Sequence, residues 1–423
     1  MLKDSVCNVS LPALSSILAN PMTQTSSRIC ILGGGFGGLY TALRLSQLPW
    51  TALEKPEILL IDQRDRFLFV PLLYELVTGE LQTWEIAPPF TELLENTGIR
   101  FMQAKVTGID LDQKTVFLEN QPEISCDRLV IALGGETPMN LAPGVADHAL
   151  AFRTTDDAFR LQERLRELEE SDRDRIRVAI AGAGYSGVEL SCKLADRLGD
   201  RGRVRLVELS DQILRTSTDF NRETARKALE RHGIWLDLET RITNITADSI
   251  SLDYKDKIDT IPVDLVLWTV GTKVAEALEP LPCKKNGRGQ LIVSPTLQLE
   301  GYPDVFALGD SAENYDAEGQ LVPVTAQSAF QQADYAGWNI WASMNNRPLL
   351  PFRYQHFGEM MALGTDNATL TGMGIKLDGS FAYVVRRLAY LYRMPTFDHQ
   401  LRVGLNWIAK PLRDLLTTTS SGR

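Results

Sequence analysis

The stretch Arg28-Ile-Cys-Ile-Leu-Gly-Gly-Gly-Phe-Gly-Gly-Leu-Tyr40 decides the reading of this chain. Arg28 to Leu32 is a short apolar run of the kind that forms a buried strand of a parallel sheet. Gly33, Gly35 and Gly38 follow at G-x-G-x-x-G spacing, and Leu39 to Ser46 has helical character. Gly33 permits the tight strand-to-helix turn, Gly35 lets the backbone approach a pyrophosphate, and Gly38 lets helix and strand pack closely. The unpaired N–H groups at the helix start would receive the anion. Glycine turns also punctuate ordinary α/β proteins, so this loop alone leaves a nucleotide site and a plain turn both open.

The same pattern recurs. Glu57 to Asp62 is a second strand, ending in an acid 24 residues after Gly38, where a carboxylate can accept from a ribose. Arg177-Val-Ala-Ile-Ala-Gly-Ala-Gly-Tyr-Ser-Gly-Val-Glu-Leu190 repeats strand, loop (Gly182, Gly184, Gly187) and helix, and Arg203 to Glu208 ends in an acid 21 residues after Gly187. Two complete units in one chain are far more specific than one. They predict an α/β protein with two Rossmann-like dinucleotide-binding domains. Asp304-Val-Phe-Ala-Leu-Gly-Asp310 then delivers a carboxylate at a glycine turn, suited to a ribityl hydroxyl beneath a flavin. A long helix opens near Pro323 and runs to about Met344, with Thr325 as N-cap. Its N-terminus, Thr325 to Ser328, suits negative charge developing on a flavin ring.

Between these landmarks, Arg66 to Gly79 is apolar and aromatic but broken by Pro71, a pocket-lining loop or plain core. Residues 99–133 read as short strands over Ile99–Ala104, Val106–Leu111, Thr115–Leu118 and Arg128–Leu133. Thr154 to Arg175 is a charged helix with a solvated face, and Asp264 to Gly271 is an apolar strand. The expected division is a disordered leader over 1–27, with Met22 as an alternative start. An FAD-binding part follows over 28–150, a NAD(P)H-binding domain over 151–275, a second FAD-binding part with the long helix over 276–375, and a C-terminal segment over 376–423.

A chain of 423 residues is too long for one ordinary core. The net charge of -10 argues against a nucleic-acid binder. Five scattered cysteines offer neither a zinc site nor a C-x-x-C dithiol. No apolar run reaches the roughly 18–20 residues needed to span a bilayer. The C-terminal 43 residues differ in kind: seven basic side chains, Arg386, Arg387, Arg393, Arg402, Lys410, Arg413 and Arg423, stand against Asp398 and Asp414. This segment also carries Tyr383, Tyr390, Tyr392, Phe397 and Trp407. Basic, aromatic and amphipathic stretches suit an anionic membrane interface; the competing reading packs them on their own domain or on a second subunit, as in a homodimer.

In this order the set resembles the type II NAD(P)H:quinone oxidoreductases, non-proton-pumping, peripheral membrane flavoenzymes. Ala326-Gln-Ser-Ala-Phe-Gln-Gln332 is similar to that family's A-Q-x-A-x-Q-Q quinone-site motif. Gly187-Val-Glu189, Phe69-Val-Pro-Leu-Leu-Tyr74 and Val403-Gly-Leu-Asn-Trp407 also match. Pro71 to Glu80 followed by Trp84-Glu-Ile-Ala-Pro88 resembles the branch of cyanobacteria and plastids, linked to reduction of demethylphylloquinone and related prenyl quinones and thus to phylloquinone biosynthesis. The resemblance implies that Gly33, Gly35, Gly38 and Asp62 hold FAD, joined by Asp310 and Ala326. It implies that Gly182, Gly184, Gly187 and Glu208 hold NAD(P)H. Glu189, Gln327 and Gln331 become the expected catalytic residues beside flavin and quinone, with Glu189 handling protons. It further implies a peripheral protein on the cytoplasmic or stromal side of a membrane.

Glu208 would repel a 2′-phosphate and so favour NADH, whereas Arg203, Arg205 and Arg215 stand close enough in sequence to offset this, and the branch is associated with NADPH. Both donors stay open. A sulfide:quinone oxidoreductase would need cysteines near the flavin, and no cysteine follows Cys283. A ferredoxin-type reductase would not call for the glutamine-rich helix or the basic tail. A flavin-bound redox sensor with little turnover remains the reading from another class.

Overall fold

Strand β1 (Arg28–Leu32) lies between β2 (Glu57–Asp62) and β4 (Arg128–Ile131), parallel to both, with Cys30 opposite Leu59 and Leu129. A computed structural model describes residues 27–51 and 55–420, with side chains described to residue 409; the expected leader, apart from Ser27, and Met22 lie outside the described residues. All three strands are nearly continuous apolar runs because both faces of this sheet are covered. Beyond β2 lies β3 (Arg100–Gln103). Helix α1 (Phe36–Gln47) begins earlier than expected, because Gly35 rather than a residue nearer Leu39 serves as N-cap.

Three short helices, α2 (Tyr74–Val77), α3 (Thr83–Ile86) and the turn Phe90–Leu93, lie between β2 and β3. Phe67, Phe69, Leu72, Leu73, Leu76 and Val77 are buried, so Arg66 to Gly79 is core. The antiparallel strands Val106–Asp110, Thr115–Leu118 and Gln121–Ser125 form a separate small sheet. The last was not expected, because its exposed Gln-Pro-Glu start hides the edge strand.

The second parallel sheet is built from β5 (Ala149–Ala151), β6 (Ile176–Ala181), β7 (Gly202–Val207), β8 (Trp235–Asp237) and β9 (Leu265–Trp268), in the order β8-β7-β6-β9-β5. The boundary expected between residues 150 and 151 falls inside β5, which pairs with β9. Helix α4 (Thr155–Glu170) starts on a Thr154 capping box and ends sooner than expected; α5 (Tyr185–Leu198) follows the second glycine loop. The chain then returns to the first sheet with β10 (Leu291–Val293), β11 (Gln298–Leu299), β12 (Tyr302–Ala307) and β13 (Ala312–Asn314). That sheet runs β13-β10-β11-β12-β4-β1-β2-β3.

Helix α6 (Ala326–Met344) packs along α1, where Gly337 lets Arg44 approach. A Cβ there would lie 2.6 Å from the Arg44 side chain. A three-stranded sheet over residues 359–378 precedes α7 (Gly379–Arg393) and α8 (Phe397–Ser420). The expected 375/376 boundary therefore lies inside its last strand, Ile375–Asp378.

Candidate active site

The two glycine loops are built alike. Gly33 and Gly182 turn at φ +96° and +93°, a region closed to most side chains. Gly38 and Gly187 meet the carbonyls of Gly33 and Gly182 so closely that a Cβ would fall 1.7 and 1.8 Å from oxygen. At Gly35 and Gly184, where a phosphate must approach, an added Cβ would meet nothing within 4 Å. Asp62 Oδ2 accepts from Gly34 N–H at 2.6 Å and Oδ1 from Arg64 N–H at 2.8 Å. Glu208 repeats this with Ala183 N–H at 2.7 Å and Ser210 N–H at 2.9 Å. Each carboxylate oxygen keeps a lone pair for a ribose hydroxyl. Both loops thus fit a dinucleotide: open backbone at a helix start, with an acid at the adjacent strand end.

Asp310 stands on the turn after β12 and is ion-paired with Arg153 at 2.5 Å, a partner the sequence reading missed. Gln332, third glutamine of the motif, accepts from Gly309 N–H at 2.9 Å and so ties this turn to α6. Thr325 caps α6 through Ser328 N–H, and Ala326 occupies its first turn. The other two glutamines bond to a neighbouring segment. Gln327 Oε1 accepts from Tyr354 O–H and Phe357 N–H, while its Nε2 donates to Gly358 C=O. Gln331 exchanges two hydrogen bonds with the Gln355 backbone. Their amides hold the segment 354–358, which leads directly into the strand Glu359–Ala362.

That strand reaches Glu189. Ala362 N–H donates to Glu189 Oε1 at 2.8 Å, and Arg386 Nη2 approaches the same oxygen at 3.2 Å. Arg386 has no exposed side-chain surface and pairs more closely with Glu75, 2.5 Å from Nη1 to Oε1. It also donates to Pro71 C=O at 2.8 Å. Nearby, Lys193, fully buried on α5, pairs with Glu80, whose other oxygen accepts from Tyr383 O–H. Burial pushes Glu189 up to about 7, against the pull of Arg386. Burial would also raise Glu75, but Arg386 and Lys193 hold it below the usual carboxylate range. Removing one partner of such a buried pair costs about 3–5 kcal/mol, because the other charge is left uncompensated.

The described arginines of the tail are engaged with the rest of the chain. Arg386 lies in the interior, Arg387 stacks on Trp407 with its guanidinium 4.4 Å from the ring centroid, Arg393 covers Phe330 and Phe357, and Arg402 pairs with Glu92 at 2.7 Å. Trp407 Nε1 and Asn406 Nδ2 both donate to Glu85 Oε1, at 2.8 and 3.1 Å. Two motifs far apart in sequence are therefore a single contact. Lys410, Arg413 and Arg423 lie beyond the described side chains. Among the described residues, most of what α7 and α8 expose is apolar, Phe381, Val384 and Leu388 on one, Phe397, Leu401, Leu405 and Ile408 on the other, with Asp398 and Arg402 at the same surface. A cleft of about 560 Å³ between α1, α6 and the α7–α8 turn opens beside this face, lined by Tyr40, Phe330, Asp334, Tyr392, Arg393 and Phe397 among others, and stands apart from both glycine loops.

Two of the three arginines near Glu208 are engaged elsewhere. Arg205 pairs with Asp237 at 2.7 Å and Arg203 donates to the carbonyls of Asp200 and Gly202. Arg215 is exposed.

Residues 27–333 match the pyridine nucleotide-disulphide oxidoreductase family. The chain belongs to this family. It is 57% identical to a demethylphylloquinone reductase, NdbB, of Synechocystis, over 95% of this chain and 100% of that protein. It is 43% identical to an alternative NAD(P)H-ubiquinone oxidoreductase of Arabidopsis thaliana, over 93% of this chain and 83% of that one. Among solved structures, NDH2 from Plasmodium falciparum in complex with NADH shares the fold at TM-score 0.79 and 18% identity, covering 90% of this chain and 98% of that one.

Proposed function

We infer that this chain is an FAD-dependent NAD(P)H:quinone oxidoreductase that reduces a membrane prenyl quinone, of the demethylphylloquinone type. The observation that carries this reading is the 57% identity to NdbB along that protein's whole length. The paired dinucleotide loops and the buried Glu189 supply a geometry that fits it.

FAD, when bound, supplies the two-electron relay between nicotinamide and quinone. We assign it to Gly33, Gly35, Gly38 and Asp62, with Asp310 and the Ala326 end of α6, and the donor to Gly182, Gly184, Gly187 and Glu208. A quinone that accepts two electrons also takes two protons, of which Glu189 would supply one and the reduced cofactor or water the other. Glu189 Oε1 already accepts two N–H groups, so a proton on this residue sits on Oε2. Protonated Glu189 gives that proton to the quinone oxygen, and Arg386 stabilises the carboxylate left behind. Gln327 and Gln331 contribute by fixing the backbone that carries Ala362.

No described helix is long and apolar enough to cross a membrane. The exposed stripes of α7 and α8 instead suit a helix pair lying in the interface, where a prenyl chain is dissolved. Apolar contact rather than the described arginines carries this binding. The reading places the protein peripherally on the cytoplasmic or stromal face.

Flavin-loaded protein should oxidise NAD(P)H only when a prenyl naphthoquinone is added, and Glu189→Gln should retain flavin while losing quinone turnover. In the same preparation, L388D/L405D should fail to float with phosphatidylglycerol-containing vesicles. Donor oxidation that ignores the quinone overturns the assignment. Stripes that instead pair two copies would give a dimer by sedimentation, lost in the same variant.

A further inference from the structure

Arg386 is shared unevenly between two carboxylates. Its closer acceptor is Glu75, and Nη2 also serves Pro71 C=O, so the Pro71–Glu75 turn takes most of the guanidinium. Glu189 receives the longer contact, 3.2 Å, on an oxygen it shares with Ala362 N–H. We propose that Glu75 is a positioning residue for proton transfer: by claiming Arg386 it leaves Glu189 free to carry the proton given to the quinone. This rests on Glu189 being the proton donor.

The charged groups around Glu189 have closer partners elsewhere. Lys193 on the same helix is committed to Glu80, and Glu359, on the strand that carries Ala362, to Ser217 and Asn221. Arg387 on α7 donates to Tyr383 O–H. Tyr74 on α2, Tyr185 and Cys192 on α5, and Tyr390 on α7 are all pushed above their ordinary values, first by burial, and stay neutral near pH 7. Glu80 thus faces Lys193, while Glu75 and Glu189 both face Arg386, and Arg387 is held on the Tyr383 hydroxyl. Two pairs close, Glu80 with Lys193 and Glu75 with Arg386, and Glu189 is the acid left over. A carboxylate in that position favours its neutral form. It is protonated below its midpoint and ionised above it, so donation to quinone fails as pH rises through about 7.

Glu75→Gln removes the competitor for Arg386. The guanidinium then serves Glu189, and its titration moves to lower pH by one unit or more. The double variant E75Q/R386Q removes both charges and moves it the other way. The experiment is a pH titration of the protonated-carboxyl infrared band in FAD-loaded, full-length protein, with the band assigned by its loss in Glu189→Gln, alongside the pH profile of naphthoquinone turnover. A one-unit fall reduces the protonated fraction at pH 8 about tenfold, and kcat with it. Shifts of opposite sign in the two variants support the proposal. A band that stays in place in both, or moves the same way in both, overturns it alone. If Glu75→Gln does not fold, the double variant decides, since an unmoved or lowered midpoint there overturns the proposal equally. A shifted band with unchanged turnover overturns Glu189 as the quinone's proton donor, and the role of Glu75 falls with it.

Discussion

The first and second glycine loops share a backbone and differ in what covers it. Gly33 and Gly182 turn alike, and both helices begin on a glycine N-cap of nearly identical angles, φ -74° and -75°. The first loop, however, lies under a roof. A Cβ at Gly34 would strike the Phe90 ring at 2.2 Å, and one at Gly37 would meet Leu308 at 3.1 Å. The second loop has Ala183 and Ser186 at these places, and Leu209, the residue after Glu208, is 61% exposed. Gly35 and Gly184 are exposed alike, and what differs is the packing on the turn, a Phe90 ring and Leu308 in one unit, a buried Ala183 and a Ser186 bonded to Tyr74 in the other. On our proposal the first loop, packed under an aromatic ring, retains a prosthetic group and the second exchanges its donor.

The largest effect that tests this contrast comes from the closest backbone contacts. Gly38→Ala and Gly187→Ala introduce the same clash, at 1.7 and 1.8 Å from a carbonyl oxygen. Gly38→Ala should purify without flavin absorbance. Gly187→Ala should keep its flavin and lose donor efficiency by about 10- to 100-fold in kcat/KM, the equivalent of ~1–3 kcal/mol of overpacking. Loss of flavin from the second variant would erase the distinction between the loops.

A smaller effect separates the two acids. Glu208→Gln removes the charge that repels a 2′-phosphate, while Arg203 and Arg205 remain turned to Asp200, Gly202 and Asp237. The ratio of kcat/KM for NADPH over NADH should rise about tenfold, ~1.4 kcal/mol of discrimination. Asp62→Asn should leave that ratio alone and weaken flavin retention. A changed donor ratio in Asp62→Asn would reverse the assignment of the loops.

Much of this architecture was legible because it is local. The strands at Arg28 and Arg177 are contiguous apolar runs, the glycines have fixed spacing, and the Thr325 cap lies beside the helix it starts. What stayed hidden depends on chain closure. Glu75 and Arg386 are 311 residues apart, and Glu85 and Trp407 are 322 apart. The motifs around Pro71 and Trp84 were visible, but not that they are the docking sites of α7 and α8. Counting charge along the tail could not show that Arg386 points inward, because a buried arginine and a solvated one are the same letter. Gln327 and Gln331 stood out as chemical groups, although their amides are engaged by residues 354–358, a stretch with no pattern to announce it.

The smallest effect on the fold is also the most specific test of the loops. Gly35 and Gly184 sit in extended backbone, at ψ -164° and -170°, with no protein atom within 4 Å of an added Cβ. Alanine there forces no positive φ and removes no protein contact, so the stability of each apoprotein should stay within about 0.5 kcal/mol of the parent. The methyl group instead occupies the space a pyrophosphate needs. Gly35→Ala should raise the Kd for FAD in reconstitution of the apoprotein while leaving its melting temperature unchanged. Gly184→Ala should raise the KM for the donor with flavin content intact. A melting temperature that falls in either variant, with nucleotide affinity unchanged, would mean that the glycine serves the chain's own turn and that the open space beside it is not a phosphate seat.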